Sequence, residues 1–235
     1  MKIGIVGGTG GMGRLLAKSL KGEIYIFSRD REKAKNVALE LSVKPGTKYS
    51  DMDIVIVSVP MNKTAETCSR VASEMKDGSL LIDVSSVKKG IADKVKVPPG
   101  VAYISVHPLF GPDVGFENEN IIIIPVKENG WLKKLETLLA ETGAKTRIGT
   151  IEEHDDMMGA VQALHHFSYL CLEEALKKES IPEEFYTHSF KRTLEFLKIF
   201  DRNREVVIEI QKMNPNAKKR RKDFAKVVKK MVDEF

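Results

Sequence analysis

Three groups of residues in this chain have the types and spacing for chemistry. The first is Gly7-Gly8-Thr9-Gly10-Gly11-Met12-Gly13, which holds G-x-G-x-x-G at 8, 10 and 13. Such a turn carries meaning between a strand and a helix. There its glycines let the backbone approach a pyrophosphate, and the helix N-terminus takes the charge. Here it follows the apolar run Ile3 to Val6 and precedes a helical pattern. Gly8, Thr9, Gly10, Gly11, Met12 and Gly13 are therefore expected to bind a dinucleotide; a glycine-rich surface turn is the plainer alternative. About 20 residues on, an NAD site usually places an acidic side chain against the ribose diol. This chain has Ser28-Arg29 there. A hydroxyl and a guanidinium suit a 2′-phosphate, so NADP is expected over NAD, with Arg31 and Lys33 as helpers. Asp30 reads as a helix cap, although a strand two residues longer would turn it toward the diol.

The second group surrounds His107 in Ser105-Val-His-Pro-Leu-Phe-Gly-Pro-Asp113. A strand is expected to end near Val106, which puts His107 in a loop stiffened by two prolines, outside the carboxyl end of a strand. Ligands of open α/β sheets bind in that crevice, and a positioned imidazole is the commonest acid/base group. The bland reading is a solvent-facing loop histidine. Ser86, in Asp83-Val-Ser-Ser-Val-Lys88, follows an earlier strand and could meet substrate or nicotinamide, or merely cap a helix. Val59 and Pro60, closing a buried strand, are expected beside the cofactor.

The third group is helical. Asp155, Gly159, Gln162 and His166 recur at i, i+4, i+7 and i+11, one polar face amid Met158, Val161, Leu164 and Phe167. Either it lines a cleft or it is solvated. His154 and His165 lie on another face and read as structural. Arg192, on the next helix, could bind a carboxylate bidentately.

The elements that would position these groups alternate strand and helix up to about residue 149, implying a mainly parallel sheet with crossover helices. Strands are expected at 2–6, 23–27, 48–50, 53–59, 79–84, 101–106, 121–125 and 146–148. From Thr150, with Glu153 completing a capping box, the pattern becomes wholly helical. One long helix to about Lys178 is expected, then helices over 183–200, 204–213 and the tail. The domains are thus 1–149, a Rossmann-type α/β unit, and 150–235, a smaller all-helical unit.

At 42% hydrophobic and 30% charged, the chain can build a core and is not of disordered composition. No apolar run reaches the ~18 residues of a membrane span. Met1 leads straight into an apolar strand without a basic-then-apolar leader, and Cys68 and Cys171 read as buried thiols; both features suggest a cytoplasmic chain. The net charge of +5 resides wholly in residues 218–235. Phe224, Val227, Val228, Met231 and Phe235 stripe that segment at helical spacing, so it reads as a docking helix with a solvated basic face rather than a nucleic-acid or membrane-binding tail.

VIVSVPMNKT (55–64), LIDVSSVKKG (81–90), SVHPLFGPDV (105–114) and EEHDDMMGAVQALHHF (152–167) closely resemble, in order, the successive motifs of prephenate dehydrogenases. The resemblance runs from residue 1 to about 213. It implies a Rossmann domain with a helical domain that forms a homodimer. It also implies oxidative decarboxylation of prephenate to 4-hydroxyphenylpyruvate in tyrosine biosynthesis, with NAD or NADP accepting the hydride. His107 then corresponds to the histidine that takes the 4-hydroxyl proton, and Ser86 to a serine near substrate and nicotinamide. His166 corresponds to a second histidine lining the substrate site, with Gln162 beside it, and Arg192 to an arginine on a substrate carboxylate. The helical part is shorter than is common in the family. Arogenate as substrate, an NADP-linked reductase acting on a deazaflavin, and a catalytically silent NADP sensor stand as rivals.

Overall fold

Buried on both faces, a parallel strand reads as a continuous apolar run, and the runs of the first half behave so. The computed structural model describes residues 1–235. Its strands are β1 (Lys2–Val6), β2 (Glu23–Phe27), β3 (Lys44–Pro45), β4 (Ile54–Val57), β5 (Leu80–Asp83), β6 (Ala102–Pro108), β7 (Asn120–Lys127) and β8 (Lys145–Ile148). They form one sheet in the order β3-β2-β1-β4-β5-β6-β7-β8. All neighbours are parallel except β6 and β7. Helices α1 (Gly11–Ser19), α2 (Arg31–Glu40), α3 (Met61–Glu74), α4 (Lys89–Ala92) and α5 (Leu132–Ala140) cover the faces. Alternate residues serve opposite cores: Ile54 and Ile56 join Ile3, Ile5, Leu16 and Leu135, while Val55 and Val57 join Cys68, Val71 and Leu81.

The strand order reverses between β1 and β4. That switch point opens a crevice at the carboxyl ends, where such sheets bind ligands. The glycine turn leaves β1 there, Ser28 leaves β2, Val59 leaves β4 and Ser86 follows β5.

The third strand departs from expectation. Residues 48–50 are not extended; Tyr49–Asp51 form a 3-10 turn, with the Tyr49 ring 4.5 Å from that of Phe27. The edge strand lies earlier, at Lys44–Pro45, where proline's missing N–H costs no ladder bond on the solvent side.

Contacts divide the chain into two units, Met1–His154 and Asp155–Phe235, the division falling inside α6 (Ile151–Met158). The expected cap is in place, with Thr150 Oγ1 accepting from the Glu153 amide at 3.1 Å. The long helix does not stay α throughout. Gly159–Leu164 is a π-helical segment before α7 (His165–Leu176). Its carbonyl neighbourhood is served by side chains: Asn214 Nδ2 donates to Asp155 O at 2.9 Å and Gln211 Nε2 to Ala163 O at 2.6 Å. A Cβ on Gly159 would sit 3.0 Å from Asn216 Cβ, so glycine permits this close approach.

α8 (His188–Arg202) starts later than expected, capped by Thr187, with a separate 3-10 turn at Glu183–Phe185. α9 (Arg204–Met213) and α10 (Ala217–Glu234) complete the unit. The first half of α10 is anchored by Arg220 on Asp156 at 2.9 Å and by Phe224 edge-on to Phe167. Beyond it Val227, Val228, Met231 and Phe235 are exposed. Cys68 is buried as expected, but Cys171 is exposed on α7; neither is in a disulfide. No helix is long and apolar enough to cross a membrane.

Candidate active site

His107 is not in a loop. It is the penultimate residue of β6, paired with Ile122 of β7, and is only 2% exposed. Its Nδ1 lies 2.8 Å from Nε2 of His154, itself 4% exposed in the first turn of α6. The Thr150 cap sets the register of that turn, and the His154 amide donates to Thr150 O at 3.0 Å. Burial, then the Lys88 cation and His154, hold the His107 imidazole well below its ordinary value. It is therefore neutral near pH 7, the form that accepts a proton.

Beneath this pair lies a buried polar network. Lys88, wholly inaccessible, donates from Nζ to Val106 O at 2.9 Å and lies 3.6 Å from Asp83 Oδ1. Asp83 also accepts from the Ser85 amide at 3.0 Å, from the Ser85 hydroxyl, and from the Tyr103 hydroxyl at 2.8 Å. Burial alone would raise the Asp83 carboxyl, but Lys88 and the hydroxyl and amide donors outweigh it and leave it lowered. Burial and the Asp83 charge push the Tyr103 hydroxyl the other way, upward, so it remains a donor. Within the Ser85-Ser86 pair, Ser85 thus turns inward to serve Asp83, and Ser86 is left half-buried at the carboxyl end of β5.

The glycine turn has the shape a pyrophosphate requires. Gly7 adopts φ +80°, and a Cβ on Gly13 would sit 2.4 Å from Gly7 O. No side chain caps α1, so its first amides remain available to an anion. A Cβ on Gly11 would sit 3.0 Å from Pro112 Cγ, so the loop that follows His107 lies against the start of α1. At the end of β2, Asp30 is the α2 cap, its Oδ1 accepting from the Lys33 amide at 3.0 Å. Half-buried Ser28 and exposed Arg29 stand between strand and cap. Val59 is half-buried, and Pro60 precedes the first residue of α3. These residues fit a bound dinucleotide.

The helical unit answers the question of the polar face. Asp155 and Gly159 are buried, and Gln162 and His166 are partly buried, so the face is not solvated. Gln162 Oε1 and His166 Nδ1 are inaccessible to water and have no hydrogen-bond partner. Leaving such a group unpaired costs about 1–3 kcal/mol, so each calls for a water or a ligand group as partner. Burial, then His165, lowers His166 to about 4, and its ring packs edge-on against Phe200. Arg192 is exposed on α8.

Spacing therefore picked out His107 but missed its partners. His154 carries no pattern that distinguishes it, because its meaning depends on a contact with β6. Asp83 and Lys88 did carry a signal: an acid ending an apolar strand with a lysine five residues on.

Family comparisons bear on both units. The family model for the prephenate dehydrogenase nucleotide-binding domain matches residues 12–148, and that for the prephenate dehydrogenase dimerization domain matches residues 150–234. A probable arogenate/prephenate dehydrogenase of Methanocaldococcus jannaschii is 32% identical over 244 residues, covering 95% of this chain and 54% of the relative. The T-protein of Haemophilus influenzae is 35% identical over 185 residues, covering 77% and 46%. The chain thus spans about half the length of these relatives. Among solved structures, the A. aeolicus prephenate dehydrogenase in complex with hydroxyphenyl propionate and NAD+ superposes with a TM-score of 0.82 at 21% identity, covering 99% of this chain and 90% of that one. Synechocystis arogenate dehydrogenase gives 0.77 at 20% identity, covering 99% and 91%. At such identities the likeness is one of fold. With both family models matched in order along nearly its whole length, the chain belongs to the prephenate dehydrogenase family.

Proposed function

We propose that the chain oxidatively decarboxylates prephenate to 4-hydroxyphenylpyruvate, with hydride transfer to NADP, as a step of tyrosine biosynthesis in the cytoplasm. The observation that carries this reading is the buried His107 at the carboxyl end of β6, its Nδ1 2.8 Å from His154 Nε2, in surroundings that favour the neutral ring. The nicotinamide supplies the hydride acceptor. His107 takes the proton of the ring hydroxyl as hydride leaves the same carbon, and the ring carboxylate departs as carbon dioxide. Aromatisation provides most of the driving force, so the protein's work is orientation and electrostatics. Ser86, Gln162 and His166 are assigned to substrate contacts, and Arg192 to a substrate carboxylate. Gly8 to Gly13, Ser28, Arg29, Val59 and Pro60 are assigned to the cofactor. The match to a dimerization domain, together with the exposed apolar end of α10, supports a homodimer.

The test is absorbance of reduced nicotinamide with prephenate or arogenate and with NADP or NAD. Prephenate with NADP is expected to turn over best. Faster turnover of arogenate, the substrate class named for the Synechocystis neighbour, would transfer the reading to that substrate. No turnover in any combination would favour a silent dinucleotide sensor.

Cofactor choice is separately testable. Arg29→Ala is expected to raise Kd for NADP about tenfold, the loss of one charge-assisted phosphate contact, and to leave NAD within about twofold. Equal effects on both cofactors would remove Arg29 from the 2′-phosphate.

A further inference from the structure

A histidine can act as a base through one ring nitrogen only if its proton sits on the other. His107 presents that problem in a sharp form, because burial leaves it few partners. Its Nδ1 is 2.8 Å from His154 Nε2, so one of the two nitrogens carries the shared proton and the other accepts it. The two arrangements have opposite consequences. With the proton on His154 Nε2, His107 Nδ1 is the acceptor and the neutral ring must bear its own proton on Nε2, which could then only donate. With the proton on His107 Nδ1, Nε2 keeps its lone pair.

We propose that His154 is a positioning residue that accepts the His107 Nδ1 proton, and thereby fixes the tautomer in which His107 Nε2 is the proton acceptor for the reaction. The inference rests on the dehydrogenase reading above. The step balances. The substrate hydroxyl gives its proton to Nε2 while its carbon gives hydride to the nicotinamide; the carboxylate leaves as carbon dioxide, and the proton returns to the phenolate oxygen of the aromatic product. Throughout, the Nδ1 proton stays in the bond to His154.

The surroundings favour this assignment. His154 is held at its place by the capped first turn of α6. Lys88 anchors the other side, its Nζ donating to the carbonyl of Val106, the residue before His107. The ring is thus fixed along both its strand and its hydrogen bond, which a base needs if it is to meet a substrate without reorganising. The titratable groups that act on it are Lys88, after β5, and His154 on α6. Lys88 and His154 both oppose a positive charge on His107, which favours the ring's return to the neutral base after each cycle.

Three measurements on the 235-residue chain decide the matter. Long-range proton–nitrogen correlation spectra of imidazole-labelled protein report the tautomer directly; the chain has five histidines, and His107→Asn identifies the signal. Wild type is expected to show His107 protonated on Nδ1. His154→Leu, lacking an acceptor, is expected to lower kcat by at least about 100-fold, as loss of tautomer control does in other imidazole bases, with KM within about threefold. His154→Gln, whose Oε1 can accept the Nδ1 proton, is expected to recover at least about tenfold of that loss. An Nε2-protonated His107 in wild type, turnover of the leucine variant within about threefold of wild type, or equal losses in both variants would each overturn the proposal. Should wild type turn over neither prephenate nor arogenate, the reaction reading fails, yet the spectra still report the His107 tautomer.

Discussion

Replacing His107 with asparagine is expected to lower kcat by about 10²–10⁴-fold, the usual contribution of a positioned general base, while dinucleotide binding stays within about twofold. Asparagine approximates the size of the ring and can still reach His154, so the strand should hold its place, but it offers no basic nitrogen. The measurement is steady-state turnover together with a cofactor titration by fluorescence quenching. Because His107 is held well below its ordinary 6.5 by burial, Lys88 and His154, the base remains competent as pH falls through 6.5, and wild-type kcat/KM is expected to stay level there. A wild-type rate that drops tenfold per unit below pH 6.5, or an asparagine variant as fast as wild type, would assign the proton to another group.

The second large effect concerns stability. Lys88→Met is expected to destabilise the chain by about 3–5 kcal/mol, because it strands the buried Asp83 carboxylate without its cation. Asp83 and Lys88 are both 0% exposed, so water cannot substitute for the lost charge. Methionine has nearly the length of lysine, which separates the electrostatic loss from a cavity. The companion Asp83→Leu/Lys88→Met is expected to recover at least half of that loss, since removing both charges leaves no uncompensated ion, although Ser85 and Tyr103 lose their acceptor. Denaturant unfolding checks both variants. A loss below about 1 kcal/mol in Lys88→Met would mean that Asp83 is neutral in the fold. The depressed Asp83 carboxyl adds its own pH signature: the stability it contributes is present above the ordinary carboxylate value of 3.8 and is lost as pH falls through the lower folded value. Lys88→Met should weaken that acid-limb dependence.

Much of the first unit was legible because its signals are local. The apolar run within 53–59 reads as a buried strand, and the glycines at 8, 10 and 13 read as a tight turn between strand and helix; in the structure a Cβ at Gly13 would overlap the backbone of Gly7. Asp30 read as a cap and is one. Sequence and structure part where the local pattern is weak. The sequence suggests a third strand at 48–50, whereas the edge strand is the two-residue Lys44–Pro45, a length that leaves almost no trace in sequence. The sequence ends the strand near Val106, whereas the antiparallel partner β7 carries β6 on through His107 to Pro108.

The helical unit divides in the same way. The Thr150 cap and α9 follow from spacing, as does the single polar face of Gln162 and His166. The π-helical segment does not, since it depends on side chains brought in from Gln211 and Asn214, about fifty residues away in sequence. The exposed thiol of Cys171 is of the same kind, for burial is a property of neighbours and not of the residue. What the sequence by itself determined, then, was the order of strands and helices, the dinucleotide turn, and which histidine to examine as a candidate base. Periodicity, steric demand and capping act over a few residues and are written in them. The tertiary structure alone decided that His154, unremarkable on its own helix, meets His107, and that Lys88 reaches the carbonyl of Val106 beneath it. Contacts across 47 and 18 residues depend on how the sheet and its helices pack, and no local pattern encodes them.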